Sequence, residues 1–497
     1  MIKIAILLFT FMTAMDTTIL ATVMPEIIRS LGQMELYPLM SAAFFFAFFT
    51  ATPIFGKVVD HFGCMKSAWV AVGLFLLGSL FCGLSFSMHE LIVSRLIQGA
   101  GAGGLVNICY ITIAKLYTTD RERSFMQAIL SSVWAVASIV GPFIGASLTM
   151  ALSWRWAFLI NLPIGAIAAS FLWSFREKNI QHKDLFDTKG VILFLVSAGL
   201  LFSCFTKAAG EGQMGWKVGA FVLGAIALVC FVRRSFQVSS PLIPFRLLSV
   251  PGVALCIAFG FITGICLTTS ATLVSLYIQG AMRLSVRIAG FVVTASSIGW
   301  VIGAFLCSYS IARIGWQWVA CVAIGAVILG FSLFAFASIH NTLLYFIVAC
   351  SIIGLGLGPL INLTILGVQK AAEAKLIGRA TTFLSLTRTL GAGIGAAFAG
   401  FLQLTFFQKE LRAVIGDQVS QGIGEALINT PSKFLEPAFI ASIPPAELSL
   451  LCELFSSSIE KVFFVPIVLL LAALSCVFFL LPLRKRSEWS VPLGTDH

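Results

Sequence analysis

Two residues of opposite charge stand in long apolar stretches where a charge is costly. Asp16 lies in Met15-Asp16-Thr17-Thr18-Ile19 running on to Pro25, and Arg95 lies in Leu91-Ile92-Val93-Ser94-Arg95-Leu96-Ile97-Gln98-Gly99. A charged side chain inside hydrocarbon costs several kcal/mol, so it faces the protein interior or water and finds a partner. A carboxyl in apolar surroundings holds its proton more tightly, and a neighbouring guanidinium loosens that hold. A carboxylate whose exposure alternates can therefore load and release a proton. Asp16 is the leading candidate for proton coupling, with Arg95 as its partner; a fixed structural ion pair is the plainer alternative. Arg388, about ten residues into its own apolar stretch, has no acid well inside any neighbouring stretch of the second half. It is expected to meet an anionic substrate group or a water-filled cavity, or to reach back to the surface. Gln98 and Arg388 are the weak candidates for a substrate cavity.

Two glycine motifs accompany these residues. Gly56-x-x-x-Asp60-x-x-Gly63 reads as a tight turn between spans, with Asp60 placed to accept hydrogen bonds from a neighbouring helix N-terminus, and its expected job is gating. Gly141-Pro142-x-x-Gly145 reads as a close helix contact with a proline kink. Machinery for an enzyme is missing from the pattern. The five histidines are dispersed without HExxH spacing, no Gly-x4-Gly-Lys-Ser/Thr loop is present, and the twelve cysteines form no CxxC pair. No enzymatic activity, cofactor or metal site is expected.

The elements that must position these residues follow from composition. Of 497 residues, 59% are hydrophobic and 11% charged, against about 25% charged in a soluble domain, so a large water-soluble globule is excluded. Apolar runs long enough to cross a hydrocarbon core of about 30 Å number fourteen, near 3–24, 37–56, 67–87, 91–115, 125–150, 155–175, 189–206, 216–232, 250–280, 287–310, 316–338, 341–367, 379–405 and 462–482. An even count puts both termini on one side. With that side cytoplasmic, twenty of the 32 Lys and Arg fall in cytoplasmic segments, Arg176, Lys178, Lys183, Arg379 and Arg484 to Arg486 among them, as the positive-inside rule requires. The net charge of +11 is thereby explained by orientation, and no nucleic-acid partner is expected. The acidic, Pro- and Ser-containing segment 406–461 reads as an extracytoplasmic loop with room for short amphipathic helices.

The chain also repeats itself. Gly99, Gly101, Gly103, Asn107 and Lys115 recur as Gly354, Gly356, Gly358, Asn362 and Lys370, each pair 255 residues apart, and Gly141 and Gly145 recur as Gly391 and Gly395 at an offset of 250. The expected architecture is all-α and polytopic: a six-helix bundle over 1–175, a two-helix insert over 176–249 and a second six-helix bundle over 250–497, in parallel orientation. Parallel repeats of six are the architecture of rocking transporters.

At this point the residues resemble the major facilitator superfamily, and within it the fourteen-helix drug:proton antiporter branch of EmrB/QacA type. Met15-Asp16-Thr17-Thr18 resembles that branch's first-helix motif, Gly56 to Gly63 its loop 2–3 motif, Arg95-x-x-Gln98-Gly99 its fourth-helix motif and Gly141-Pro142-x-x-Gly145 its antiporter motif. Trp154-Arg155-Trp156-Ala157-Phe158-Leu159-Ile160-Asn161-Leu162-Pro163-Ile164-Gly165 is similar to a further element of the branch. His61, Cys64 and Met65 stand where the family's loop is usually basic. The resemblance implies a major facilitator fold in the cell (inner or plasma) membrane and proton-coupled efflux of lipophilic drugs by alternating access, with small lipophilic substrates, protons and the bilayer as partners and room for a periplasmic adaptor protein. With one acid well inside a span, neutral, monocationic or anionic lipophiles are expected over dications. A proton-coupled transporter of a specific metabolite or organic anion is the alternative. A proton crossing ~100 mV supplies about 2.3 kcal/mol, enough for roughly a fiftyfold gradient without ATP.

Overall fold

A computed structural model describes residues 2–32, 36–117, 119–172, 187–205, 214–238, 241–372, 376–415, 419–429, 433–434 and 437–480. Among them, the regular elements are helices: α1 (Ile2–Leu31), α2 (Tyr37–Leu84), α3 (Met88–Leu116), α4 (Asp120–Ala151), α5 (Trp156–Leu159), α6 (Asn161–Leu172), α7 (Thr188–Phe205), α8 (Met214–Gln237), α9 (Pro251–Leu276), α10 (Val286–Ala335), α11 (Leu343–Ala371), α12 (Ile377–Val414), α13 (Gln421–Asn429), α14 (Pro437–Ile440) and α15 (Pro445–Leu480). Ten of these carry stretches long and apolar enough to cross a membrane, and two shorter apolar stretches, Trp156–Leu172 and Thr188–Ser203, join them. Large side chains left exposed on their outer faces, such as Phe143, Met150, Phe221 and Phe291, have no reason to face water in such numbers and suit contact with lipid. The chain is a multi-pass membrane protein. The expected boundary at 175/176 and the basic residues Arg176, Lys178, Lys183 and Arg484 to Arg486 lie outside the described residues.

Helix starts are written locally. Ser87 caps α3, accepting from Glu90 N–H at 3.3 Å, and Glu90 accepts from Phe86 N–H at 2.8 Å. Thr119 caps α4 in the same way through Glu122 N–H.

The second and third apolar runs are two helical arms that meet at Gly63, whose φ of 85° and ψ of 167° belong to a region open to glycine alone; numbered together as α2 they cover 48 residues. Straight, α2 would run about 72 Å. Instead it doubles back. A Cβ on Gly99 of α3 would lie 2.3 Å from Phe44 O in the first arm, and one on Gly101 would lie 2.3 Å from Phe75 N in the second, so both arms flank the same turn of α3. The 50-residue α10 does likewise at Gly315 (φ 80°, ψ 165°): Gly354 and Gly356 of α11 press on Ser296 O in one arm and Ala323 O in the other. The glycine repeat is thus the seam of two hairpin-plus-helix units. Segment 406–461 carries helices: α12 continues to Val414, α13 lies within the segment and α15 begins at Pro445, so Glu410, Glu425, Glu447, Glu453 and Glu460 stand on helices. Apolarity marks the bilayer, whereas a helix continues wherever backbone hydrogen bonds are satisfied.

Buried apolar side chains form one core among α1, α2, α3, α4 and α6 and another among α9, α10, α11, α12 and α15. The α7–α8 pair reaches both sides through aromatic rings: Phe202 stacks on Phe46 of α2 at 4.6 Å, while Phe231 meets Phe245, which meets Phe383 of α12 at 5.5 Å.

Candidate functional site: a buried ion pair and an interhelical latch

The helix seams bring Asp16, Arg95 and Gln98 together. The Asp16 side chain is 0% exposed and that of Arg95 1% exposed. Arg95 Nη1 donates to Asp16 Oδ2 at 2.6 Å and to Gln98 Oε1 at 2.6 Å. Gln98 Nε2 donates to Asp16 Oδ1 at 2.7 Å and to Ser79 Oγ at 2.8 Å. Asn161 Nδ2 donates to the same Asp16 oxygen at 3.1 Å. The Arg95 guanidinium lies over the Phe44 ring, 4.0 Å from its centroid, with Phe158 at 5.7 Å. Helices α1, α3 and α6 therefore meet at one carboxylate, with α2 and α5 packed around its partners.

Taking two charges out of water costs several kcal/mol per ion unless pairing and further hydrogen bonds compensate; here both carboxylate oxygens are occupied and the guanidinium has a ring beneath it. The groups that hydrogen-bond to Asp16 are N–H donors from Arg95, Gln98 and Asn161, a donor set suited to a carboxylate, which only accepts. Gln98, read from sequence as a cavity residue, is a ligand of Asp16. Asn161 and Ser79 were missed, although Asn161 lies in the Trp154–Gly165 element; the available signal was an uncharged amide inside an apolar run.

Gly56 and Asp60 lie elsewhere on α2, against α12, and Gly63 is the bend between its arms. Arg379 Nε donates to Asp60 Oδ2 at 2.6 Å, the two side chains being 7% and 14% exposed. Asp60 thus lies at the N-terminal turn of α12, beside Gly378 and bonded by the Arg379 side chain. One turn earlier, a Cβ on Gly56 would lie 2.5 Å from Thr382 Oγ1, and Asn107 Nδ2 of α3 donates to that same hydroxyl at 2.8 Å. Phe125 of α4 meets Phe305 of α10 at 5.8 Å. These contacts join α2, α3 and α4 to α10 and α12 at the Asp60 end of the bundle.

The fifth-span motif packs α4 on α1. A Cβ on Gly141 would lie 2.3 Å from Thr18 Oγ1, one on Gly145 would lie 2.6 Å from Ile19 Cγ1, and Thr18 Oγ1 donates to Ala137 O at 3.1 Å. Pro142 stands inside the helix. Arg388 on α12 is half-buried, and its Nη1 is buried with no acceptor among the described residues; the structure does not bring it to the Asp16 cluster.

The sequence profile of the Major Facilitator Superfamily matches residues 6–396. The chain is 28% identical over 485 residues to Multidrug resistance protein 3 of Bacillus subtilis (strain 168), covering 96% of this chain and 94% of that protein. It is 29% identical over 402 residues to the multidrug efflux pump SdrM of Staphylococcus aureus (strain N315), covering 80% and 88%. The fold is shared with a bacterial homologue of the iron transporter ferroportin in an outward-facing state, at a TM-score of 0.62 and 15% identity over 97% of this chain and 100% of that one. On the strength of the profile match, the paired hairpin units and these relatives, the chain belongs to the Major Facilitator Superfamily.

Proposed function

We propose that this carrier exports lipophilic compounds in exchange for protons by alternating access, with Asp16 as the proton site and Arg95, Gln98 and Asn161 as the groups that read its charge. The observation that carries the reading is the sealed carboxylate, both of whose oxygens take N–H donors from neighbouring helices. A proton moves an equilibrium between two conformations only through its different affinity for them, and the donor-rich cage supplies that difference. The names of the relatives that cover nearly the whole chain support multidrug efflux.

In this reading the Asp60 end faces the cytoplasm and is closed, with the Asp60–Arg379 and Asn107–Thr382 contacts as its latch and the Gly141–Gly145 face of α4 as a hinge surface for α1. Counting each kinked helix as two spans and including the two shorter ones gives fourteen, arranged as six, an α7–α8 insert and six, in the cell (inner or plasma) membrane with both termini cytoplasmic. The test is ethidium transport in liposomes reconstituted with the full chain. An imposed pH gradient should drive ethidium accumulation that collapses with a protonophore; accumulation indifferent to the gradient contradicts proton exchange.

A second reading, transport of an organic anion, is favoured by the buried, unpartnered Nη1 of Arg388. It expects Arg388→Gln to lower transport of an anionic lipophile while sparing ethidium.

A further inference from the structure

The internal repeat extends from backbone to side chains. Gly99 and Gly103 press on Phe44 O and Phe48 O as Gly354 and Gly358 press on Ser296 O and Trp300 O, so Ser296 stands in the place of Phe44 and Trp300 in that of Phe48. The same 255-residue offset carries Arg95 onto Cys350 and Gln98 onto Ile353. Gly145 rests on Ile19 and Thr22 as Gly395 rests on Ile265 and Thr268, which carries Asp16 onto Ile262. The second half has therefore replaced its copy of the ion pair with uncharged residues.

A cavity of about 100 Å³ lies at that place, lined by Ser270, Ser296, Ser297, Trp300, Cys350 and Ile353 with aliphatic neighbours. It shares Ala271 with a cleft of about 400 Å³ lined by Thr272, Ser275 and Gln279. Among the described residues, no Asp, Glu, Lys, Arg or His lines either space. Trp300 Nε1 is buried with no acceptor among the described residues, although a buried indole N–H ordinarily finds one. A Cβ on Gly358 would lie 3.0 Å from Trp300 Cδ1, so the indole packs against α11.

We infer that this cavity is a binding subsite for the uncharged end of a lipophilic substrate that carries a hydrogen-bond acceptor, such as a ketone, ester or amide carbonyl, which Trp300 Nε1 meets. The inference rests on the export reading and names its substrate class: the first half keeps the charge chemistry, and the second half offers a neutral, hydroxyl-lined slot with one indole donor.

The test uses the full chain in detergent and the uncharged naphthyl ketone 6-propionyl-2-(dimethylamino)naphthalene, whose emission responds to polarity and to hydrogen bonding at its carbonyl, with empty micelles as background. The comparison probe is the same molecule with the carbonyl reduced to methylene. Saturable binding of the ketone is expected. Trp300→Phe, which keeps a ring and removes the donor, should weaken the ketone about three- to tenfold and leave the methylene probe unchanged, while Ile353→Trp should fill the cavity and weaken both. Absence of saturable binding, equal ketone binding by Trp300→Phe and the unaltered chain, or equal weakening of both probes by Trp300→Phe overturns the inference. The last two outcomes stand even if Ile353→Trp fails to fold. Proton-driven ethidium transport separates the two readings: retained transport with an indifferent Trp300→Phe removes the subsite alone, whereas a Trp300→Phe effect without proton-driven transport removes the export reading.

Discussion

Replacing Asp60 by asparagine should open the Asp60 end of the bundle. The carboxylate and Arg379 Nε are 2.6 Å apart and mostly buried, and removal of one partner of a fully buried pair costs about 3–5 kcal/mol. Residual exposure of 14% and 7% lowers that to about 2 kcal/mol, and the positive charges of Lys57 and Lys115, which act on Asp60 in the folded protein, then lose their counter-charge. A penalty of about 2 kcal/mol is roughly a thirtyfold change, enough to move a population closed about 99:1 to about 3:1. The assay is a distance distribution between spin labels attached through non-natural residues at the exposed positions Lys66 and Arg313, which flank the two glycine bends, one in each half. Asp60→Asn should add a longer distance, Arg379→Gln should do the same, and the double variant should shift no further than either alone, because the two side chains act as one contact. Unchanged distributions, or shifts that add, would refute the latch.

Two further outcomes follow from the same contacts. Thr382→Val removes the hydroxyl to which Asn107 donates at 2.8 Å; at about 1 kcal/mol for a neutral hydrogen bond, the same spin-label pair should report a shift of about fivefold, smaller than that for Asp60→Asn. Gly354→Val places a Cβ 2.0 Å from Ser296 O, a backbone atom that cannot swing aside, so α10 and α11 must part and the melting temperature in detergent should fall, while Gly290→Val, where nothing lies within 4 Å, should leave it unchanged.

The parts of the site legible in sequence were those that carried a large energetic signal. Asp16 and Arg95 stood out because a charge in an apolar run demands a partner, and the pair that forms is the one expected. The glycine repeat stood out because close helix approach tolerates no Cβ, and it forms the seams of both hairpin units. Asn161 and Ser79 were not legible, since a neutral amide or hydroxyl costs far less in an apolar span and announces no partner. Arg379 was read as one more basic loop residue because its partner Asp60 lies 319 positions away, and no local pattern encodes that distance. The ends of α12 and α15 were misplaced because apolar composition reports where lipid begins, not where the helix stops.

Proton release on substrate binding tests the central claim most directly. Ethidium added to the purified full chain in weakly buffered detergent solution at slightly acidic pH should bind and release protons, read by a pH indicator. Asp16→Asn, which keeps the shape but cannot ionise, should bind ethidium and release none. Equal proton release by Asp16→Asn would contradict the assignment of the carboxylate between α1 and α3 as the coupling site and leave the Asp16–Arg95 pair a structural one.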